Sequence, residues 1–350
     1  MTAPAAPGQC WRLVRASDSA RSDGLSRTAG LLRPSDERRV APLASTLAVL
    51  ERIVEGPRCP AGSEHARAAA RRLQGHLERL RLPARLLCSA IDASGRVVAG
   101  ALAMPGPGRT AQVLSSRPAD AVEQAATADV IAAVVEGLRP IEASVSQALL
   151  DAEIDDPATD RHAAAYRAAG FQSLAALDYL ARRMPRRGEV GAPHLPQGVT
   201  LQPWRRGDPV LSRVLESTYV DTLDCPGLCG LRRTDDILEG HLAGARYVPE
   251  LWSILHLEGA PVGAILLSVS HGGDEIDLVY LGLAPTARGR GLGRLLLEHG
   301  LHQVAGRRQS RVVLAVDRAN APAARLYERA GFVCTCSRLA MIRPCATARE

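Results

Sequence analysis

The sequence contains no lysine: all 43 of its basic residues are arginine. That excludes a lysine Schiff base and a lysine general base. Aromatic residues make up only 3% of the 350 positions, so the cores must be built mainly from Leu, Val and Ala. The eight cysteines form no C-x-x-C pair and no Cys/His cluster, and no metal site is expected from them. No apolar run approaches the length of a membrane span. Met1 to Pro7 shows no charged segment leading into an apolar one. Together these absences predict a cytoplasmic chain with reduced thiols and no membrane partner. The net charge of +6 is mild for this length. No basic stripe is interleaved with aromatics, so no nucleic-acid partner is expected, and the excess suits attraction of an anionic cofactor.

What is present is concentrated between Glu275 and Phe332. An apolar strand (Ile276 to Leu283) is followed by Ala284-Pro285-Thr286-Ala287, then Arg288-Gly289-Arg290-Gly291-Leu292-Gly293, then an apolar helix. A second strand (Val312 to Val316) precedes Asn320-Ala321-Pro322-Ala323-Ala324-Arg325-Leu326-Tyr327-Glu328-Arg329-Ala330-Gly331-Phe332. Glycines where a strand turns into a helix let the backbone approach an anion, which the free N–H groups and positive helix end then hold. Tyr327, on a later helix, is a weak acid able to protonate a leaving thiolate.

The only two phenylalanines have matching contexts. Tyr166-Arg167-Ala168-Ala169-Gly170-Phe171 is echoed by Tyr327-Glu328-Arg329-Ala330-Gly331-Phe332, and Asp156 stands to Asp317 at the same offset. Such self-similarity indicates an internal duplication. The expected domains are 1–185 and 199–350, joined by a linker over 186–198 that is rich in Gly, Pro and charge. The second copy reads as α+β with a mixed sheet. Its strands are expected at Val199 to Trp204, Leu251 to Leu257 and Pro261 to Val269, with helices near Asp208 to Tyr219 and after Thr234 as N-cap. The first copy suggests strands at Trp11 to Val14, Leu86 to Ile91 and Val97 to Leu102, and helices at Glu37 to Val54 and Glu64 to Leu80. It has no glycine between Gly108 and Gly137, so the anion loop is missing there.

Arg288-x-x-Gly291-x-Gly293 after a strand resembles the acyl-CoA pyrophosphate motif of the GNAT superfamily of N-acetyltransferases. Asn320-x-x-Ala323-x-x-Leu326-Tyr327-x-x-x-Gly331-Phe332 resembles that family's later motif, and the two stand in the family's order and spacing. A dinucleotide-binding Rossmann unit is the competing reading, but it needs its glycines early in a βαβ unit. The resemblance is strong over 200–343 and weaker over 10–183. It implies two tandem GNAT-like domains, each a mixed, mostly antiparallel twisted sheet flanked by helices, with the N-terminal one degenerate. The organisation is similar to that of mycothiol synthase and other two-domain members.

The resemblance further implies acetyl-CoA as acyl donor and direct transfer to a primary amine of a small-molecule or peptide acceptor in a ternary complex. The cofactor would lie on Leu281, Gly282 and Leu283, on Arg288, Gly289, Arg290, Gly291, Leu292, Gly293 and Arg294, and against Asn320. Tyr327 would be the general acid, and the turn at Asp224-Cys225-Pro226 would help shape the acceptor site. Strand alternation places Ile276, Leu278 and Tyr280 on one face and Glu275 and Asp277 on the other. Either carboxylate could serve as base through water, and a solvated strand edge explains the pair equally well. Two readings stand beside this one: a non-catalytic acyl-CoA sensor, and acetylation of an amino-sugar thiol.

Overall fold

The computed structural model describes residues 11–15, 46–56, 59–151 and 157–345. The first nine residues of the helix expected from Glu37, and Asp156, lie outside the described residues. The chain forms two compact units, one within 1–106, 110–173 and 341–350, the other within 107–109 and 174–340.

Unit 1 runs β1 (Trp11–Arg15), α1 (Thr46–Val54), α2 (Glu64–Leu80), β2 (Leu87–Asp92), β3 (Val97–Gly106), β4 (Thr110–Ser115), α3 (Ala121–Glu136), β5 (Val145–Asp151) and α4 (Pro157–Ala168). Strands β1 to β5 lie side by side in chain order. The β2–β3 turn forms because the Asp92 carboxylate accepts the amides of Ser94 and Arg96 at 2.9 and 3.0 Å. Helix α2 starts where Ser63 Oγ accepts the Ala66 N–H at 3.1 Å, and it buries Ala66, Ala70 and Leu77 along one face. Strands β4 and β5 pair in parallel over only three positions, Thr110–Gln112 with Val145–Gln147. Both strands then continue, to Ser115 and Asp151, without pairing to each other.

Unit 2 contains β6 (Gln172–Arg183, from Leu174 on), β7 (Val199–Pro203), α5 (Val210–Tyr219), α6 (Thr234–Gly244), β8 (Trp252–Leu257), β9 (Ala260–Val269), β10 (Glu275–Leu283), α7 (Leu292–Val304), β11 (Arg311–Asp317), α8 (Ala321–Arg329) and β12 (Val333–Pro344, to Ala340). Its strand order is β12-β6-β11-β10-β9-β8-β7. Strand β6, within the stretch 1–185 expected as the first domain, thus lies from Leu174 on in this unit. Antiparallel bonds tie it to β11 from Leu177 to Arg183.

Strand β9 is covered on both faces and reads as one apolar run, as a central strand should. Gly300 lets α7 lie on it, since a Cβ there would sit 2.6 Å from Ile265 Cδ1 and 2.7 Å from Leu267 Cδ1. Trp204 stacks on Trp252 with ring centroids 5.2 Å apart, and Tyr247 meets Trp252 edge-on at 4.8 Å. Thr234 is the first residue of α6 rather than its cap; its hydroxyl donates to Glu216 Oε1 at 3.0 Å. No helix among the described residues is long and apolar enough to cross a membrane.

Candidate active site

The site is built where two strands of unit 2 part. Strand β10 pairs in parallel with β11 only from Glu275 to Asp277, against Arg311 to Val313. Beyond that point β11 stays paired with β6 as far as Asp317, and β10 stays paired with β9. A wedge therefore opens between Leu278–Leu283 and Leu314–Asp317. Its edge on the β10 side is backbone, able to pair with amides of a ligand.

An extra residue at Val279 marks the point of divergence: Leu278 faces Leu267, but Tyr280 faces Leu266. The bulge reverses the alternation. Tyr280 thus lies on the face of Asp277, not on that of Ile276 and Leu278 as strict alternation predicts. Its hydroxyl meets Thr218 Oγ1 of α5 at 2.5 Å, and its ring passes over Gly282, where a Cβ would stand 2.3 Å from the hydroxyl.

At the wide end of the wedge lies the glycine turn. Gly289 and Gly291 have φ of 72° and 77° and are exposed. Helix α7 begins at Leu292 with no side-chain cap, so the first amides of the helix face outward around Gly291, Leu292, Gly293 and Arg294. Leu292 is itself buried and anchors the helix start. Gly293 faces Leu283 and Leu326 at ordinary contact distance.

Arg288, expected to face phosphate, is committed elsewhere. Its guanidinium donates to the carbonyls of Leu283 (3.0 Å), Asp221 (2.9 Å), Thr218 (2.9 Å) and Val220 (2.7 Å). It closes the C-terminal end of α5 and ties it to the end of β10, as a planar five-donor group can. Arg288→Ala is expected to destabilise the chain by about 2 kcal/mol, with Arg288→Lys rescuing little of it, measured by urea unfolding. An unchanged midpoint in both variants would contradict the clamp.

The other expected cofactor residues divide. Arg290 is exposed and forms no ion pair among the described residues. Arg294 pairs with Glu298 at 2.6 Å. Asn320 caps α8 by accepting the Ala323 N–H at 3.3 Å. Leu281, Gly282 and Leu283 hold the β9 side of the wedge against Ile265, Ala264 and Gly263.

Helix α8 starts just beyond β11 and carries Tyr327. The ring is buried and lies edge-on to Phe332 at 5.8 Å, while its hydroxyl has no hydrogen-bond partner among the described residues. Burial, followed by the nearby charge of Asp224 and the neighbouring Tyr280, raises its pKa well above that of a free phenol.

The matching residue of unit 1 behaves differently. Tyr166 donates its hydroxyl to the Val113 carbonyl at 3.0 Å, on the strand that parts from β5. His162 Nε2 and Ser115 Oγ, 2.8 Å apart, fill the same region. Where unit 2 has its glycine turn, α3 of unit 1 is capped twice. Asp120 Oδ1 accepts the Glu123 N–H, Glu123 Oε2 accepts the Ala119 N–H, both at 2.9 Å, and Glu123 also pairs with Arg52. Two carboxylates occupy the place an anion would need.

Of the two carboxylates on β10, Glu275 is joined to Arg311 at the strand edge. Asp277 is half-buried, and burial, then the charge of Glu275, raises its pKa. It stands at the narrow end of the wedge, roughly 20 Å along the strand from Leu283 at ~3.3 Å per residue. Cys225 has its thiol pushed up to about 12 by burial and by Asp224 and Asp317, which keeps it protonated. His299 and His302 point to different partners, Ser253 Oγ at 3.0 Å and the Val190 carbonyl at 2.8 Å. No group of three potential metal ligands occurs among the described residues. Thr218, Tyr280 and Asp317 were not expected at the site. The apolar alternation hides the bulge that turns Tyr280, and Asp317 was visible only as one member of a repeated pair.

Residues 219–332 match the model of the acetyltransferase (GNAT) family. Among curated relatives, a mycothiol acetyltransferase of Acidothermus cellulolyticus is 47% identical over 83 residues, covering 23% of this chain and 25% of that protein. One from Streptomyces bingchenggensis is 32% identical over 145 residues, covering 41% of this chain and 46% of the relative. The chain thus spans under half the length of the curated relatives it matches. Among solved structures, a GCN5-related N-acetyltransferase from Sphaerobacter thermophilus superposes with a TM-score of 0.54 at 20% identity, covering 87% of this chain and 94% of that one. A tandem GNAT protein from the clavulanic acid biosynthesis pathway gives 0.50 at 16% identity with the same coverages. The fold likeness takes in more than either unit alone, so both copies share in it. The stretch that matches this family, residues 219–332, is the one that carries the parted strands and the glycine turn.

Proposed function

We propose that the chain transfers an acetyl group from acetyl-CoA to a primary amine, by direct attack in a ternary complex within the wedge of unit 2. The observation that carries this is the conjunction of an uncapped helix start at Gly291 with the unpartnered Tyr327 hydroxyl. An acyl-CoA sensor needs the first and has no use for the second.

The amides around Gly291 to Arg294 hold the pyrophosphate, with Arg290 free to add charge. The exposed edge of Leu281–Leu283 holds the pantetheine arm and polarises the thioester carbonyl. The amine nitrogen bonds to the acetyl carbon, the carbon–sulfur bond breaks, and Tyr327 gives its proton to the departing thiolate. The amine's proton passes to water in the open wedge: Glu275 is held by Arg311, and Asp277 stands at the far, narrow end. The mycothiol acetyltransferase relatives favour an acceptor of the amino-sugar thiol class.

Calorimetric titration is expected to give one acetyl-CoA per chain, because the carboxylates of Asp120 and Glu123 bar the equivalent position in unit 1. Two equal sites would refute this. Release of free thiol across a panel of amines, amino sugars and peptides tests the transfer itself; no release with any of them, despite tight binding, would favour the sensor.

A further inference from the structure

Past Asp277 and Val313, β10 and β11 are no longer paired. The edge at Leu281–Leu283 belongs to the first of these strands, and Tyr327, on α8, follows the second. The ladder therefore does not fix the gap between them. What spans it is the turn after α5, residues 218–225. Its first half is tied to the end of β10. Arg288, itself bonded to the Leu283 carbonyl, donates to the carbonyls of Thr218, Val220 and Asp221. Thr218 Oγ1 donates its own hydrogen to the Leu215 carbonyl at 2.9 Å, so in its 2.5 Å contact with Tyr280 the phenol is the donor.

The second half of the turn is tied to the end of β11. Asp224 Oδ1 accepts the Asp317 N–H at 3.2 Å, and Asp317 Oδ2 accepts the Cys225 N–H at 3.1 Å. Asp317 Oδ1 accepts the Ala319 N–H at 2.9 Å, and the Asp317 carbonyl accepts that of Asn320, the cap of α8, at 2.8 Å. One carboxylate, 4% exposed, thus holds the turn with one oxygen and the approach to α8 with the other. Its charge makes both bonds stronger than neutral ones. Cys225 holds a left-handed φ of 47°, a conformation that a non-glycine residue keeps only where its surroundings fix it.

We propose that this turn is a strap that sets the distance between the donor edge of β10 and the Tyr327 hydroxyl, and that Asp317 is the positioning residue that joins the strap to α8. This rests on the acetyl-transfer reading of the same wedge. Tyr327 must come within hydrogen-bond reach of the departing sulfur, and a displacement of about 1 Å can cost roughly 10²-fold in rate. Asn cannot replace Asp317: its single amide oxygen serves one of the two N–H groups, and its NH2 meets the other.

The full chain, labelled with ring-13C tyrosine, gives only six tyrosine environments to follow. Asp317→Asn is expected to move the Tyr327 signal and to leave Tyr166 unmoved. It should lower kcat by roughly 10²-fold with the KM for acetyl-CoA nearly unchanged. Tyr327→Phe placed in the Asp317→Asn background should cost no more than Tyr327→Phe alone, because both act on one proton transfer. A role in stability alone would not produce that non-additivity. If Asp317→Asn does not fold, Asp224→Ala takes its place, and Asp224→Asn, which keeps an oxygen for the Asp317 N–H, should recover most of the loss. An unmoved Tyr327 signal, an unchanged kcat, or losses that multiply in the double variant would overturn the strap. If the parent chain turns over no amine, the transfer reading fails by itself, and the Tyr327 signal in Asp317→Asn alone decides the strap.

Discussion

Tyr327→Phe should lower kcat by roughly 10²–10⁴-fold, the range for loss of a general acid, with little change in the KM for acetyl-CoA. The ring is held by Phe332 and the surrounding core, so removing the hydroxyl leaves the packing in place. Only a hydroxyl that makes no hydrogen bond among the described residues is lost. The comparison that sharpens the test is Tyr166→Phe. There the hydroxyl is bound to the Val113 carbonyl, so its removal leaves a buried acceptor unsatisfied, at a cost of about 1–3 kcal/mol in stability with kcat nearly unchanged. Turnover is followed by thiol release with an accepted amine. Full activity in Tyr327→Phe removes Tyr327 from the chemistry; a large kcat loss at Tyr166 overturns the view that the first copy is catalytically silent.

Gly291→Val is expected to weaken acetyl-CoA binding by roughly 10²-fold, about 2.7 kcal/mol, far more than Tyr327→Phe does. Nothing among the described residues lies within 4 Å of a Cβ placed at Gly291, so the expected effect does not come from a clash with them. It comes from the left-handed φ of 77°, which a β-branched residue adopts only under strain, and from a side chain standing over the amides that face the anion. Calorimetry on both variants decides the matter. Similar affinity losses in the two would mean that the glycine turn is not the anion site.

Much of this arrangement can be read from local sequence because it depends on local causes. The glycine turn is legible since φ above zero demands glycine, and helix α2 is bounded where expected because Ser63 caps it. What escapes is set by partners distant in the chain. The run Ile276-Asp277-Leu278-Val279-Tyr280 alternates well, and only its pairing with β9 reveals that Val279 is an extra residue. Arg288 resembles a phosphate ligand until its four carbonyl partners, three of them about 70 positions earlier, are seen. The apolar pattern of β6 announces a strand but not that β11 is its neighbour. Tyr166 and Tyr327 sit in near-identical words and differ only in what their hydroxyls meet. The double cap of α3 is spelled out locally, by Asp120 and Glu123 three apart.

The bare start of α7 has a consequence for how this protein endures in its surroundings. A missing cap leaves a helix short by roughly 1 kcal/mol, a deficit that an anion seated on the exposed first amides of α7 would make up. A molecule that lies across those amides binds the folded chain and not the unfolded one. Its concentration would therefore raise the melting temperature. Without that anion the start of α7 stays bare, while α3 of unit 1 carries its own two caps.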